Sequence, residues 1–469
     1  MDLIAAIAAG NTPSAIGIVR VSGDGCDAAC ARVFRHTAGR AFGELEPRKL
    51  CFGQMLDREG RVLDQGLAVR FPAPHSYTGE DSAEFHCHGS PAVLRELLDA
   101  LFSAGARQAG PGEFTKRAFL NGRMDLTQAE AVADLIHAET AAAARNAAAQ
   151  LDGGLRRVLE PVQDALLDIT SRFYAVVDYP DEDIEDIQPQ QVAEALRSAQ
   201  DSLARLLDTC RRGQVLKRGV RTAIVGLPNA GKSSLLNALV GFDRAIVTDI
   251  PGTTRDTVEE SALCGGVLLR LADTAGLRET ADTVEKLGVE RSRNAMERAD
   301  LILLVSDDAA GLGNRTQEYW EDTRRLLGEV SGTQKPWIFI ASKRDLSGKT
   351  AGSLGVIGDG NWNGPAAYVS LSAVTGEGME DLEKALAALF PPGAPEEAGS
   401  LLTDQRQEEA ASRAHKAVQR ALEALENGMT PDAVLTDAEE ALDALGELTG
   451  RTAKEAIVSR IFSRFCVGK

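Results

Sequence analysis

Residues 226–233 read GLPNAGKS, with the spacing G-x-x-x-x-G-K-S. The apolar run VRTAIVG leads into them and the helical stretch SLLNALVG follows. A strand, a glycine-rich turn and a helix in that order form a phosphate-binding loop. The glycines let backbone N–H groups turn inward around phosphate oxygens, and the helix adds its positive end. In such a loop Lys232 reaches the β and γ phosphates and Ser233 ligates Mg²⁺, while Asn229, Ala230, Gly231 and Ser234 complete the cradle.

Reading outward, short β-branched runs alternate with helical segments: VRTAIVG, VLLRLAD, LILLVSD, WIFIASK and AAYVSLSA. That alternation predicts βαβ units around a mostly parallel sheet, here over residues 218–390. Three further stretches fall where a nucleotide site needs them. Asp273, Thr274, Ala275 and Gly276 follow the strand VLLRLA, where an acid and a backbone amide can sense Mg²⁺ and the γ phosphate. SKRD (Ser342, Lys343, Arg344 and Asp345) closes WIFIA. SLSAVTGEG supplies Ser372 and Ala373 for a last base-contacting loop. Asp345 can accept from both N1–H and the exocyclic amine of guanine. Adenine offers neither donor, so the carboxylate would be left unpaired, at a cost of about 1–3 kcal/mol. The set therefore points to GTP. Two departures stand out. The base-recognition motif usually opens with Asn and here opens with Ser342. In Ras-like enzymes a glutamine just after the Asp273–Gly276 turn orients the attacking water; here Leu277 follows.

The flanks differ in texture. Up to about residue 121 the pattern is mixed, with strand-like AIGIVRVSG and GLAVRFPAP and the amphipathic SPAVLRELLDALFSAG, predicting an α+β domain over 1–121. Residues 122–217 and 391–469 are rich in Ala and Leu without evident strands. They predict a helical domain interrupted by the α/β domain, with two separate helical domains as the rival. With 44% hydrophobic and 26% charged residues the composition is that of a soluble protein. No apolar run reaches the roughly 20 residues that span a bilayer. The seven cysteines are odd in number and scattered, which suits reduced thiols in a cytoplasm. A net charge of −18 argues against whole-surface nucleic-acid binding. The last 19 residues reverse that balance, with five Lys/Arg against one Glu. HCH at 86–88 has no second ligand pair at zinc-like spacing, so no metal site is expected there.

Several stretches together resemble the bacterial MnmE (TrmE) family of tRNA-modification GTPases: TDIPGTTRD at 248–256, DTAGLRETADTVEKLG at 273–288, IGIVRVSG, YTGEDSAEFHCHGSP, PGEFTKRAFLNGRMDLTQAEAVADLI and the terminal FCVGK. The resemblance covers essentially the whole chain and implies answers to both the missing glutamine and the flanks. It implies a K⁺ ion acting like an arginine finger, held by Asn229 and by main-chain carbonyls at Thr248, Ile250 and Thr253. Asp249, Pro251 and Gly252 belong to the same loop, and Thr254 joins Ser233 on Mg²⁺. Glu285 would position the water, with Lys232 as its partner in catalysis. Spacing alone would not choose Glu285 over Glu279 or Asp282. Arg20, Glu84, Arg123 and Lys469 would contact a tetrahydrofolate, 5,10-methylenetetrahydrofolate as donor with 5-formyltetrahydrofolate as analogue. Cys466 is either a catalytic thiol or a small residue packed near the folate.

The implied partners are a second copy of the chain, an FAD-containing MnmG (GidA) protein in a heterotetramer, and tRNA. Hydrolysis would depend on two GTPase domains meeting, and a folate site closed by Lys469 from the opposite chain would also need a dimer. The implied reaction adds a carboxymethylaminomethyl group to C5 of the wobble uridine U34. The competing readings are a ribosome-assembly or signalling GTPase, and a folate enzyme with a merely structural GTPase insertion. Because Ser342 carries one hydroxyl where Asn carries an amide, Ser342→Asn is expected to tighten GTP binding; an unchanged affinity in equilibrium titration would refute this.

Overall fold

The computed structural model describes residues 2–8, 12–178, 188–242, 260–271, 293–308, 317–347, 364–391, 398–453, 455–463 and 465–469. They form two compact units, one of residues 1–133, 151–200 and 410–469 and the other of residues 134–150 and 201–409.

The first unit is built on a seven-stranded sheet. Its strands are β1 (Ile4–Ile7), β2 (Ser14–Ser22), β3 (Phe34–His36), β4 (Cys51–Leu56), β5 (Val62–Phe71), β6 (Ser82–Gly89) and β7 (Arg107–Gln108), in the order β3-β4-β5-β6-β2-β1-β7. All neighbours pair antiparallel except β1 with β7. Alternation decides the faces. On β6, Ala83, Phe85 and Cys87 enter the core, while Glu84, His86 and His88 take the other side. The helix Pro91–Ser103 buries Leu94, Leu97, Leu98 and Leu101, spaced as one helical face, against that core. At Gly17 the packing is close, since a Cβ would stand 2.6 Å from a methyl carbon of Leu94 and force that side chain to shift. Helices Gly154–Asp178 and Pro431–Thr449 pack together, and Tyr174 donates to Glu439 across them.

The second unit carries β8 (Val220–Val225), β9 (Glu260–Cys264), β10 (Val267–Leu271), β11 (Leu301–Asp307), β12 (Trp337–Ser342) and β13 (Ala367–Ser370), in the order β13-β12-β11-β8-β10-β9. The sheet is parallel as the sequence predicts, apart from β9, which the sequence reading did not foresee. ESALC is short and half polar; what makes it a strand is the Gly265-Gly266 turn at φ 60° and 79°. Two positive φ values are what a tight hairpin back onto β10 demands. Apolar side chains fill both faces of the sheet, which is why its strands read as continuous hydrophobic runs. Where the chain enters and leaves this α/β stretch, Lys217 lies between Asp134 at 2.7 Å and Asp404 at 2.5 Å. Gln214 donates to Glu408 at 2.7 Å, and the N–H of Leu402 donates to the Thr209 hydroxyl at 3.1 Å.

An ionic cluster ties the amino end of the first unit to the helix Glu113–Leu120. The buried Arg117 guanidinium donates to Asp2 at 2.7 Å, Glu113 at 3.0 Å and Glu80 at 3.1 Å, and Arg107 pairs with Asp2 and Glu113. Burial alone would raise the Glu113 carboxyl, but bonds from Arg107, the Gly110 N–H and Arg117 hold it at about 2. Because the folded value lies below the unfolded one of 4.5, its stabilisation is complete above that pH and fades as pH falls towards 2. Allowing for solvent screening, it contributes about 1–2 kcal/mol. Glu113→Gln is therefore expected to lower the denaturation midpoint at pH 7, and the gap from the parent should close near pH 2; a gap independent of pH would refute the assignment.

Candidate functional site

β8 delivers the phosphate loop. Its buried residues stop at Val225, and Gly226 then passes so close to β11 that a Cβ would lie 2.3 Å from the Val305 carbonyl. The loop turns at Asn229, with φ 58°, and at Gly231, with φ 101°, before the helix Lys232–Phe242 begins. The Lys232 ammonium donates to the carbonyls of Gly226 and Leu227, each at 2.8 Å, and so bridges the loop it belongs to. Burial pushes its pKa down. Among the described residues its partners are neutral carbonyls, and such an ammonium gains from a phosphate oxygen, whose charge offsets that desolvation. Ala230 is buried, while Asn229, Ser233 and Ser234 are exposed along the rim of the loop and the first turn of the helix.

The residues expected to recognise the base stand at the carboxyl ends of neighbouring strands, where ligands bind in open parallel sheets. Ser342 closes β12 as a buried residue, and its hydroxyl donates to the Ala230 carbonyl in the phosphate loop. Lys343 turns the chain at φ 58°, and its ammonium pairs with Asp307 at the end of β11, 3.0 Å away. Asp345 lies exposed in the first turn of the short helix Arg344–Ser347. Beyond β13, Ser372 is fully buried, and its hydroxyl accepts from the Thr375 N–H at 3.2 Å. Ala373 packs on the core. The structure thus brings together Asn229 to Ser234, Ser342 to Asp345, and Ser372 with Ala373. Thr248, Asp249, Ile250, Pro251, Gly252, Thr253, Thr254, Asp273, Thr274, Ala275, Gly276 and Glu285 lie outside the described residues.

A second cluster forms in the first unit. Arg20 on β2 and Glu84 on β6 are direct cross-strand partners, and the guanidinium reaches the carboxylate at 2.7 and 2.8 Å. The guanidinium carbon lies 5.4 Å from the ring centre of Tyr77 and 5.6 Å from that of Phe114, so two aromatic faces cradle one cation. The Tyr77 hydroxyl bonds the Thr115 hydroxyl at 2.9 Å, and burial raises its pKa. The stem of Arg123 runs beside Gly79, with Cγ and Cδ 3.4 and 3.5 Å from the point where a Cβ would stand.

The terminal segment docks alongside. The N–H of Gly112 donates to Cys466 and that of Phe114 to Lys469, both at 3.2 Å, and Pro111 pairs with Val467. The Lys469 carbonyl is therefore held by the main chain of Phe114, whose ring flanks Arg20, while the Cys466 side chain is exposed. Sequence reasoning missed Tyr77 and Phe114. Both sit in motifs that carry the family resemblance, but no spacing marks an aromatic as part of a cradle. The two histidines of HCH are occupied by acids, His88 with Asp64 at 2.9 Å and His86 with Glu84 at 3.4 Å.

Comparison with known proteins agrees along the whole chain. Residues 3–123 match the family model described as GTP-binding protein TrmE N-terminus, and residues 126–466 match that of the MnmE helical domain. A tRNA modification GTPase MnmE from Symbiobacterium thermophilum is 42% identical over 468 residues, covering 100% of this chain and 99% of that protein. The protein of the same name from Aquifex aeolicus is also 42% identical, with 99% of each chain covered. One from Heliobacterium modesticaldum is 40% identical, over 100% of this chain and 99% of its own. The chain belongs to the MnmE (TrmE) family of tRNA modification GTPases.

Proposed function

We propose that this chain hydrolyses GTP, with Mg²⁺ and K⁺, as the switch of a tRNA-modifying complex. With an FAD-containing MnmG (GidA) partner, and a tetrahydrofolate as one-carbon donor, it adds a carboxymethylaminomethyl group to C5 of wobble uridine 34. The observation that carries the hydrolase reading is the Ser342–Ala230 contact, which joins the base-recognition loop to the phosphate loop around Lys232. The tRNA reading rests on the relatives' name over the full length of the chain.

The residues present suit the groups they would hold. Ser233 with Thr254 offers hydroxyls to Mg²⁺. Asn229, exposed on the rim, offers a side-chain oxygen to K⁺ together with the carbonyls of Thr248, Ile250 and Thr253. A K⁺ held there would supply positive charge where negative charge grows on the β–γ bridging oxygen in phosphoryl transfer. Lys232 binds and orients the phosphates, Glu285 orients water, and Asp345 selects guanine with Ser372 and Ala373 behind it. In the first unit the Glu84 carboxylate can pair with adjacent pterin N–H donors while Arg20 fixes its orientation, and Arg123 and Lys469 suit the glutamyl carboxylates. Cys466 offers an exposed thiol beside that site. Domain boundaries at 121, 217 and 390, a homodimer joined to MnmG as a heterotetramer, and a cytoplasmic setting complete the proposal. Among the described residues no helix is long and apolar enough to cross a membrane.

GTP turnover by the full chain in matched KCl and NaCl buffers tests the switch. We expect fast turnover only in KCl, and a loss of about 10²-fold or more in both Glu285→Ala and Asn229→Ala. Equal turnover in sodium would overturn the potassium mechanism. The folate site is tested separately by titrating 5-formyltetrahydrofolate. Arg20→Ala and Glu84→Gln should each weaken binding by about tenfold or more, and unchanged affinity in both would remove folate from the reading.

A further inference from the structure

Ser342 has one hydroxyl hydrogen to give, and it goes to the Ala230 carbonyl. That bond fixes β12 to the phosphate loop but leaves the serine no donor for the loop that follows β13. A different residue spans that gap. Arg344 is 8% exposed, an unusual setting for a guanidinium. It donates to the hydroxyl of Ser370, the last residue of β13 and itself buried. Its main-chain N–H donates to the Leu371 carbonyl at 3.3 Å, and the Leu371 N–H returns to Ala341 on β12 at 2.9 Å. Asp345 follows directly on one side of this tie, and Ser372 and Ala373 follow on the other.

We propose that Arg344 is a positioning residue for guanine specificity. It holds Asp345 and the Ser372–Ala373 turn at the separation that the edge of a guanine requires, in place of the second bond that Ser342 is too short to make. Burying a guanidinium is costly unless its donors find partners, and the partner found on β13 lets Arg344 join two loops at the mouth of one site. The inference rests on the guanine reading of Asp345 given above, and the test separates the two.

GDP, IDP and ADP are titrated against the full chain. IDP lacks only the exocyclic amine, so it loses one of the two bonds that Asp345 accepts, and the GDP-to-IDP affinity ratio reports how well that carboxylate is placed. Arg344→Met should weaken GDP by about tenfold and IDP by no more than about threefold, narrowing the ratio. Ser370→Ala removes only the receiving hydroxyl. It should narrow the ratio in the same direction, and combining it with Arg344→Met should give less than the sum of the two effects, because both variants break the contact between these residues. Arg344→Lys, which can still donate to that hydroxyl, should recover part of the ratio.

A merely structural role would lower thermal stability and both affinities in proportion, leaving the ratio at its parent value, and that result in Arg344→Met and Ser370→Ala would overturn the proposal. Should Arg344→Met fail to fold, Ser370→Ala decides alone: a narrowed ratio supports the tie and an unchanged one refutes it. If the parent chain itself binds GDP, IDP and ADP alike, the guanine reading fails first, and the role of Arg344 with it.

Discussion

The contact between Gly226 and the Val305 carbonyl leaves no room for a side chain, and the nucleotide site is arranged around that closeness. Because β8 and β11 meet so tightly at their carboxyl ends, the chain leaving β8 must arch over the sheet edge. The arch turns its carbonyls towards Lys232, which binds two of them. It also brings Ala230 within reach of Ser342 on β12, one strand beyond β11. The outer loops are then fixed in turn, β12 to β11 through Lys343 and Asp307, and β12 to β13 through Arg344 and Ser370. Each bond depends on the strand spacing before it, so the loops after β12 and β13 inherit their placement from the phosphate loop.

The first unit solves a similar problem with different means. Arg20 is held across the strands by Glu84 and flanked by the rings of Tyr77 and Phe114. The loop that carries Tyr77 is anchored through Glu80, which accepts from the Ser22 hydroxyl at 2.8 Å and from Arg117. One arginine sits between two aromatic rings and another, buried among acids, shapes the loop beside it. Both units thus use guanidinium groups as spacers between elements. Rigid forks with several donors do this better than a flexible ammonium.

Much of this was legible in the sequence where burial is two-sided. β8, β10, β11, β12 and β13 announce themselves as apolar runs because helices cover both faces of their sheet. β9 was not legible, since ESALC carries little hydrophobic signal and depends on a glycine pair for its existence. In the first unit β2, β5 and the helix Pro91–Ser103 stood out. β3, β4 and β6, broken by His and Gly and exposed on one side, did not. The phosphate loop could be read residue by residue because its chemistry requires particular types at particular spacings. Tyr77, Phe114 and Arg344 could not. An aromatic beside a cation, or an arginine turned inward to a serine, is a relation between distant strands and leaves no local pattern. Glu285 and the loop around Thr248 rest on family resemblance alone and lie outside the described residues.

The Lys217–Asp404 pair joins residues 187 apart in the chain. Closing a flexible loop of that length costs about 4–5 kcal/mol in chain entropy, growing only as the logarithm of its length. The second unit, once folded, has met that cost within its own boundaries, because its two ends are already pinned side by side. For the first unit, whose helices before residue 200 must find those after residue 410, the intervening chain then behaves as a short connector. A lesion that frees Lys217 from Asp404 would return that closure cost to the helices before residue 200 and after residue 410, so its effect would fall on a unit to which neither residue belongs.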